Sequence, residues 1–130
     1  MTELSEQYQR GAEAFERAYP QRATKEPSDF EQVTMEHLFA EIWNRPGLST
    51  RDRRLLILGV AAAQGNDTIL KLQLRSGLAK GDLTEDDLTE VPIFLTHYVG
   101  WPLGVVTNGI ARQVLADRAA REQAKNESAS

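Results

Sequence analysis

The 130-residue chain contains no cysteine, and that single absence removes disulfides, thiol catalysis, thiolate metal sites and iron–sulfur clusters together. Thiol peroxidase chemistry goes with them. Imidazole is nearly missing as well: His37 and His97 are the only histidines, so a zinc site would need both of them plus carboxylates, and no metal site is expected. Long apolar runs are also lacking. The longest, Leu55 to Ala63, falls far short of the roughly 20 residues of a membrane span. Residues Met1 to Gly11 are polar and acidic rather than basic then apolar, unlike a secretory signal or transit peptide. There is no excess of positive charge: 15 Lys and Arg stand against 19 Asp and Glu, a net charge of −4. Nucleic-acid binding by bulk electrostatics is therefore not expected, although a local basic patch stays open. Phosphate loops, glycine-rich dinucleotide fingerprints, metalloprotease motifs, internal repeats and strand signals are absent too. A cytoplasmic, cofactor-poor protein without membrane or nucleic-acid partner is the expectation.

What is present is helical pattern. With 41% hydrophobic and 26% charged residues, the chain has the balance of a globular all-α domain. Leu4, Tyr8, Ala12, Phe15 and Tyr19 recur at helical spacing before Pro20. Ser28 and Glu31 form a capping box for a second helix to about Trp43, with Phe30, Val33, His37, Leu38 and Ile42 expected inward. Ser49 caps a third, so apolar that it should be the buried centre of the domain or of an oligomer. Asn66 or Asp67 starts a fourth, carrying Ile69, Leu70, Leu72, Leu74 and Leu78, with Gly81 as its left-handed cap. Thr84 and Asp87 open a fifth, with Leu88, Val91, Phe94, Leu95 and Tyr98 as its stripe and a kink or restart expected at Pro92. Gly100 and Pro102 lead into a sixth, whose stripe is Leu103, Val106, Ile110, Val114 and Leu115. One domain over residues 1–118 is expected, followed by a disordered tail, 119–130, without large apolar residues.

Chemistry must then come from single polar residues on apolar faces. His97, beside Tyr98 and before the Gly100 break, reads either as a general acid or base or as a helix-end histidine bonded to a backbone carbonyl. Gln73 between Leu72 and Leu74 either points its amide into a pocket or faces solvent. Glu41 lies four residues after His37 and one turn before Arg45, a His–Glu–Arg chain or a plain surface ladder. Arg51, Arg53 and Arg54 oppose the dipole of the third helix, so at least one should pair with an acid such as Asp52 or Glu41, or with a ligand. Trp43 and Trp101 read as core or oligomer contacts.

Several words of the sequence together resemble the carboxymuconolactone decarboxylase family, whose other main branch is the alkylhydroperoxidase-D-like proteins. They are Glu41-Ile42-Trp43-Asn44-Arg45-Pro46-Gly47-Leu48, Arg53 to Ala63, Leu72-Gln73-Leu74-Arg75, Gly81 with Thr84, Glu90-Val91 and Tyr98-Val99-Gly100-Trp101-Pro102. The resemblance spans roughly Tyr8 to Leu115 and is closer to the decarboxylase branch. It implies a six-helix alkylhydroperoxidase-D-like bundle assembled as a homo-oligomer, trimer or hexamer, with pockets near subunit interfaces. The glutamate, Cys-x-x-Cys pair and histidine of the peroxidase branch match Arg54, Asn66, Ile69 and Gln73 here. A second histidine common in the decarboxylase branch matches Phe94. None of these groups is kept.

His97, one turn after Phe94, can return an imidazole to the same pocket. The implied reaction is a cofactor-independent decarboxylation, or an isomerisation, of a small carboxylated lactone or related cyclic metabolite. Carbon dioxide leaves a dienolate that is protonated at a remote carbon. The assigned roles are His97 or Glu41 as the catalytic acid, Arg45 or Arg53 holding the substrate carboxylate, and Gln73 or Tyr98 donating to the oxyanion. The competing expectation is a non-catalytic small-molecule-binding or assembly protein on the same scaffold.

Overall fold

The computed structural model describes residues 3–129, and among them every regular element is helical. The protein is all-α. The elements are α1 (Glu6–Ala18), α2 (Asp29–Val33) passing directly into a π-helical segment (Thr34–Ile42), α3 (Thr50–Gln64), α4 (Asp67–Lys80), α5 (Glu85–Val99) and α6 (Trp101–Ala129). They form two compact units, Met1–Arg53 and Arg54–Ser130, with the boundary in the first turn of α3.

In the first unit α1 packs against the π-helical segment. Ser5 caps α1 by accepting from the Tyr8 amide at 3.0 Å. The buried side of α1 is Tyr8, Gly11, Ala14 and Ala18. Gly11 sits where two backbones meet: a Cβ there would stand 1.8 Å from the Met35 carbonyl oxygen, a contact only glycine permits. Gln7 adds a bond from Nε2 to the Glu36 carbonyl at 3.0 Å. Phe15, Tyr19, Phe39 and Trp43 form one aromatic cluster, with centroid separations of 5.1 to 6.2 Å.

The Ser28–Glu31 capping box is present in full, but the side that the second helix buries is not the expected one. Phe30, Val33, His37, Leu38 and Ile42 are exposed, whereas Met35, Phe39 and Ala40 are buried. Phe30 and Val33 lie in α2, which buries no residue; for His37, Leu38 and Ile42 the cause is winding. From Thr34 the amides reach back five residues, as Trp43 does to the Leu38 carbonyl at 2.9 Å. That ring holds more residues per turn than the 3.6 of an α-helix. The inward positions therefore recur at fours and fives, and a stripe drawn at α-helical spacing rotates off the buried face.

In the second unit the core is Leu58, Ala61 and Ala62 of α3, Leu70, Leu74 and Leu78 of α4, Leu83, Leu88 of α5, and Ala111 and Val114 of α6. The expected caps are found: Asn66 accepts from the Ile69 amide, Thr84 and Asp87 make a capping box, and Gly81 adopts φ 82°. One expectation is corrected: α5 runs unbroken through Pro92, which is itself buried, and its inward side is Leu88, Pro92 and Thr96, leaving Phe94 and Tyr98 exposed. On α3, Leu56 and Val60 are exposed in the single chain. α6 is helical to Ala129, every residue from 119 to 129 being exposed. That segment is rich in Ala, Glu, Arg, Gln and Lys, all strong helix formers, and Arg118–Glu122 and Gln123–Glu127 link successive turns.

Candidate functional site

Arg54 is the largest fully buried side chain. Its Nε and Nη2 donate to the two carboxylate oxygens of Asp82 at 2.9 and 3.0 Å, a bidentate ion pair, and its Nη1 donates to Gln73 Oε1 at 3.0 Å. Desolvating a guanidinium is tolerable only when its donors are matched, and a planar fork meeting a carboxylate does this well. Gln73 is thus inside rather than on the surface, and what its oxygen meets is Arg54. Asp82, which sequence reasoning missed, is the acid that pairs one of the three clustered arginines.

A cleft open to solvent lies elsewhere in the same unit. Pro92, Ile93, Thr96 and His97 of α5 and Trp101, Gly104, Val105 and Asn108 of α6 line an open cleft of about 280 Å³. Its floor depends on Gly104. A Cβ at that position would stand 2.0 Å from Thr96 Oγ1, so glycine lets α5 and α6 close against each other. Thr96 in turn donates its hydroxyl to the Pro92 carbonyl at 2.6 Å. That acceptor lies one turn back in α5, and the bond removes the hydroxyl from the cleft's free donors.

His97 lies 2.7 Å through Nδ1 from the Ile93 carbonyl oxygen. A carbonyl only accepts, so Nδ1 carries the hydrogen, and in the neutral ring Nε2 holds the lone pair. This is the helix-end histidine of one sequence reading, bonded to a backbone carbonyl that orients the ring. The Trp101 ring stands edge-on to the imidazole, 6.1 Å between centroids. Asn108 supplies a side-chain amide on the cleft wall. Its signal was a polar residue one or two turns after Trp101 and Val105 on the same face of an otherwise apolar helix.

The remaining candidates do not join this cleft's lining. Tyr98 is 77% exposed and packs on Phe94, centroids 5.1 Å apart. In the first unit Glu41 and His37 are both exposed, 3.7 Å apart, a surface pair of small energetic weight. Arg53 is half-buried, donates to the carbonyls of Leu48 and, at 2.8 Å, Arg45, and lies 5.9 Å over the Trp43 ring. Its guanidinium closes the 45–48 turn. Arg45 is exposed. Among the described residues no three of His, Asp and Glu gather as a metal would need, and no helix is long and apolar enough to cross a membrane.

With this geometry in view, a model of the carboxymuconolactone decarboxylase family matches residues 28–122. The chain belongs to that family. The matched region holds every cleft residue and the whole Arg54–Gln73–Asp82 network. A 4-carboxymuconolactone decarboxylase from Acinetobacter baylyi (strain ATCC 33305 / BD413 / ADP1) is 30% identical over 89 residues, 68% of this chain. The match spans 66% of that relative's length.

Proposed function

We propose that this protein is a cofactor-independent lyase or isomerase that transfers a proton on a small cyclic metabolite, with the His97 cleft as its site. The carboxylated lactone named for the Acinetobacter relative is the first substrate to try. The observation that carries the reading is the orientation of His97 by the Ile93 carbonyl, which makes Nε2 the proton-transferring atom.

In the decarboxylating version, the carbon–carbon bond to the carboxylate breaks and its electron pair enters the ring as a dienolate. Nε2–H of the imidazolium then protonates a remote ring carbon, and the exposed ring regains its proton from solvent. Asn108 is placed to donate to the enolate oxygen, the role that Gln73 is held away from by Arg54.

Turnover of 4-carboxymuconolactone, read as loss of its conjugated absorbance with release of carbon dioxide, tests this directly. His97→Ala is expected to lower the rate by about a hundredfold or more. Equal turnover by wild type and His97→Ala would remove His97 from the chemistry. Binding without turnover supports the second reading, a small-molecule-binding protein, which the diversion of Gln73 into the buried network favours. We also propose a homo-oligomer, on the exposure of Phe30, Val33, Leu56 and Val60; a monomer by light scattering at micromolar concentration contradicts it.

A further inference from the structure

We propose, resting on the reading of the His97 cleft as the ligand site, that Arg112 is the carboxylate-binding residue of that site. The α6 side of the cleft follows a single stripe. Trp101, Val105 and Asn108 succeed one another at helical spacing, all three exposed, and the next position of the same stripe, four residues on, is Arg112. Polarity rises along it, from an indole through an isopropyl group and a neutral amide to a guanidinium. Within one turn of the lining along either helix, Arg112 is the only Lys or Arg in the sequence. The corresponding turn of α5 carries one acid, Glu90, which is exposed and makes no ion pair with Arg112.

The guanidinium of Arg112 is uncommitted. Among the described residues it makes no hydrogen bond or ion pair, whereas Arg54, Arg118 and Arg121 of the same unit are engaged by Asp82, Glu122 and the Asp117 carbonyl. Side chains on an α-helix lean toward its N-terminus, so an arginine at 112 covers the turn that begins at Asn108. The two positions are about 6 Å apart along the helix axis. That is comparable with the separation between an oxygen of a small ring and a carboxylate on a short arm of the same ring. A planar guanidinium meets such a carboxylate with two parallel N–H bonds and a full opposite charge, which a neutral amide cannot match. 4-Carboxymuconolactone has two carboxylates, the 4-carboxy group that leaves and an acid arm that stays. Clamping the group that leaves would favour the ground state, because its charge moves into the ring in the transition state. Arg112 therefore holds the arm that stays, and its contribution is to binding.

Muconolactone, which has the acid arm but no 4-carboxy group, separates this binding from the chemistry. The acid and its methyl ester are titrated by calorimetry, and by the fluorescence of Trp101 in a Trp43→Phe background. Wild type is expected to bind the acid about tenfold tighter than the ester at low salt, the ratio shrinking as salt is raised because Arg112 is exposed. Arg112→Gln should bring the ratio to about one, and Arg112→Lys should keep part of it. Arg75→Gln, at the other exposed arginine of this unit without a hydrogen bond or ion pair, should leave it unchanged. Where 4-carboxymuconolactone is turned over, Arg112→Gln should raise KM about tenfold and keep kcat within about twofold. Equal binding of acid and ester to wild type, an acid preference that survives Arg112→Gln, or no binding of muconolactone at millimolar concentration overturns the assignment. An Arg112-dependent acid preference without turnover leaves the subsite standing while the lyase reading fails. His97-dependent turnover with KM untouched by Arg112→Gln does the reverse.

Discussion

Arg54 donates to Gln73 at 3.0 Å while holding Asp82 with its other two nitrogens, and the guanidinium is wholly shielded from solvent. Removing the carboxylate should be worse than removing the cation. We expect Asp82→Ala to destabilise by about 3 kcal/mol, because a buried guanidinium loses its counter-charge, and Arg54→Met to cost less, because an apolar side chain refills the space. Urea unfolding of both variants checks the order. An Asp82→Ala protein within about 1 kcal/mol of wild type would falsify the account of the network as a buried structural pair.

Gly104 and Gly11 make a contrasting pair. Gly104→Ala drives a Cβ into the Thr96 side chain, so a loss of about 2 kcal/mol is expected, partly recovered by adding Thr96→Ala. In Gly11→Ala the obstacle is the Met35 backbone, and no side-chain change should rescue it. Thermal unfolding of Gly104→Ala, Thr96→Ala, their double variant and Gly11→Ala decides; full additivity of Gly104→Ala and Thr96→Ala contradicts the contact.

The fold's caps were legible in the sequence because each is closed within four residues: Ser28 with Glu31, Thr84 with Asp87, and Asn66 with Ile69. The facing of the second helix was not, since nothing in its residues announces a change of winding, and Phe30 and Val33 are as apolar as Met35 and Phe39. His97 was visible as an imidazole before a helix break. Asp82 was invisible as a site residue because it lies 28 positions from Arg54, and Asn108 because the meeting of α5 with α6 depends on Gly104 having no side chain.

Two groups of the first unit contribute to the pH dependence of stability, one on each side of neutrality. Burial raises the Tyr8 hydroxyl above its ordinary value of 10.0, with Glu31 and Glu16 adding to the effect. A group whose pKa is raised by folding stabilises below its unfolded value, and that stability is lost as pH rises through 10 and beyond. Glu31 goes the other way: bonds from the Ser28 amide and hydroxyl lower it from 4.5, so its contribution holds above that value and fades as pH falls. Tyr8→Phe should remove the alkaline dependence and cost about 1 kcal/mol at neutral pH through the lost 2.6 Å bond to the Thr24 carbonyl. Glu31→Gln should flatten the acid limb. Urea midpoints across pH 3 to 11 show whether each limb follows its residue.

Ser76 has a hydroxyl that is 1% exposed and makes no hydrogen bond. Its desolvation is uncompensated, so Ser76→Ala should raise stability by about 1 kcal/mol and leave turnover unchanged. A destabilised alanine variant means that the hydroxyl has a bonding partner in solution.

The cleft lining lies between Lys80 and Arg112, with no Lys or Arg between them. Trypsin cuts after Lys and Arg, so complete digestion must release Gly81 to Arg112 as one peptide, and that peptide carries all eight residues of the cleft lining. A photoreactive lactone bound at the site would leave its mass on this one fragment, and the sequence ions between Pro92 and Asn108 would tell which helix it had touched.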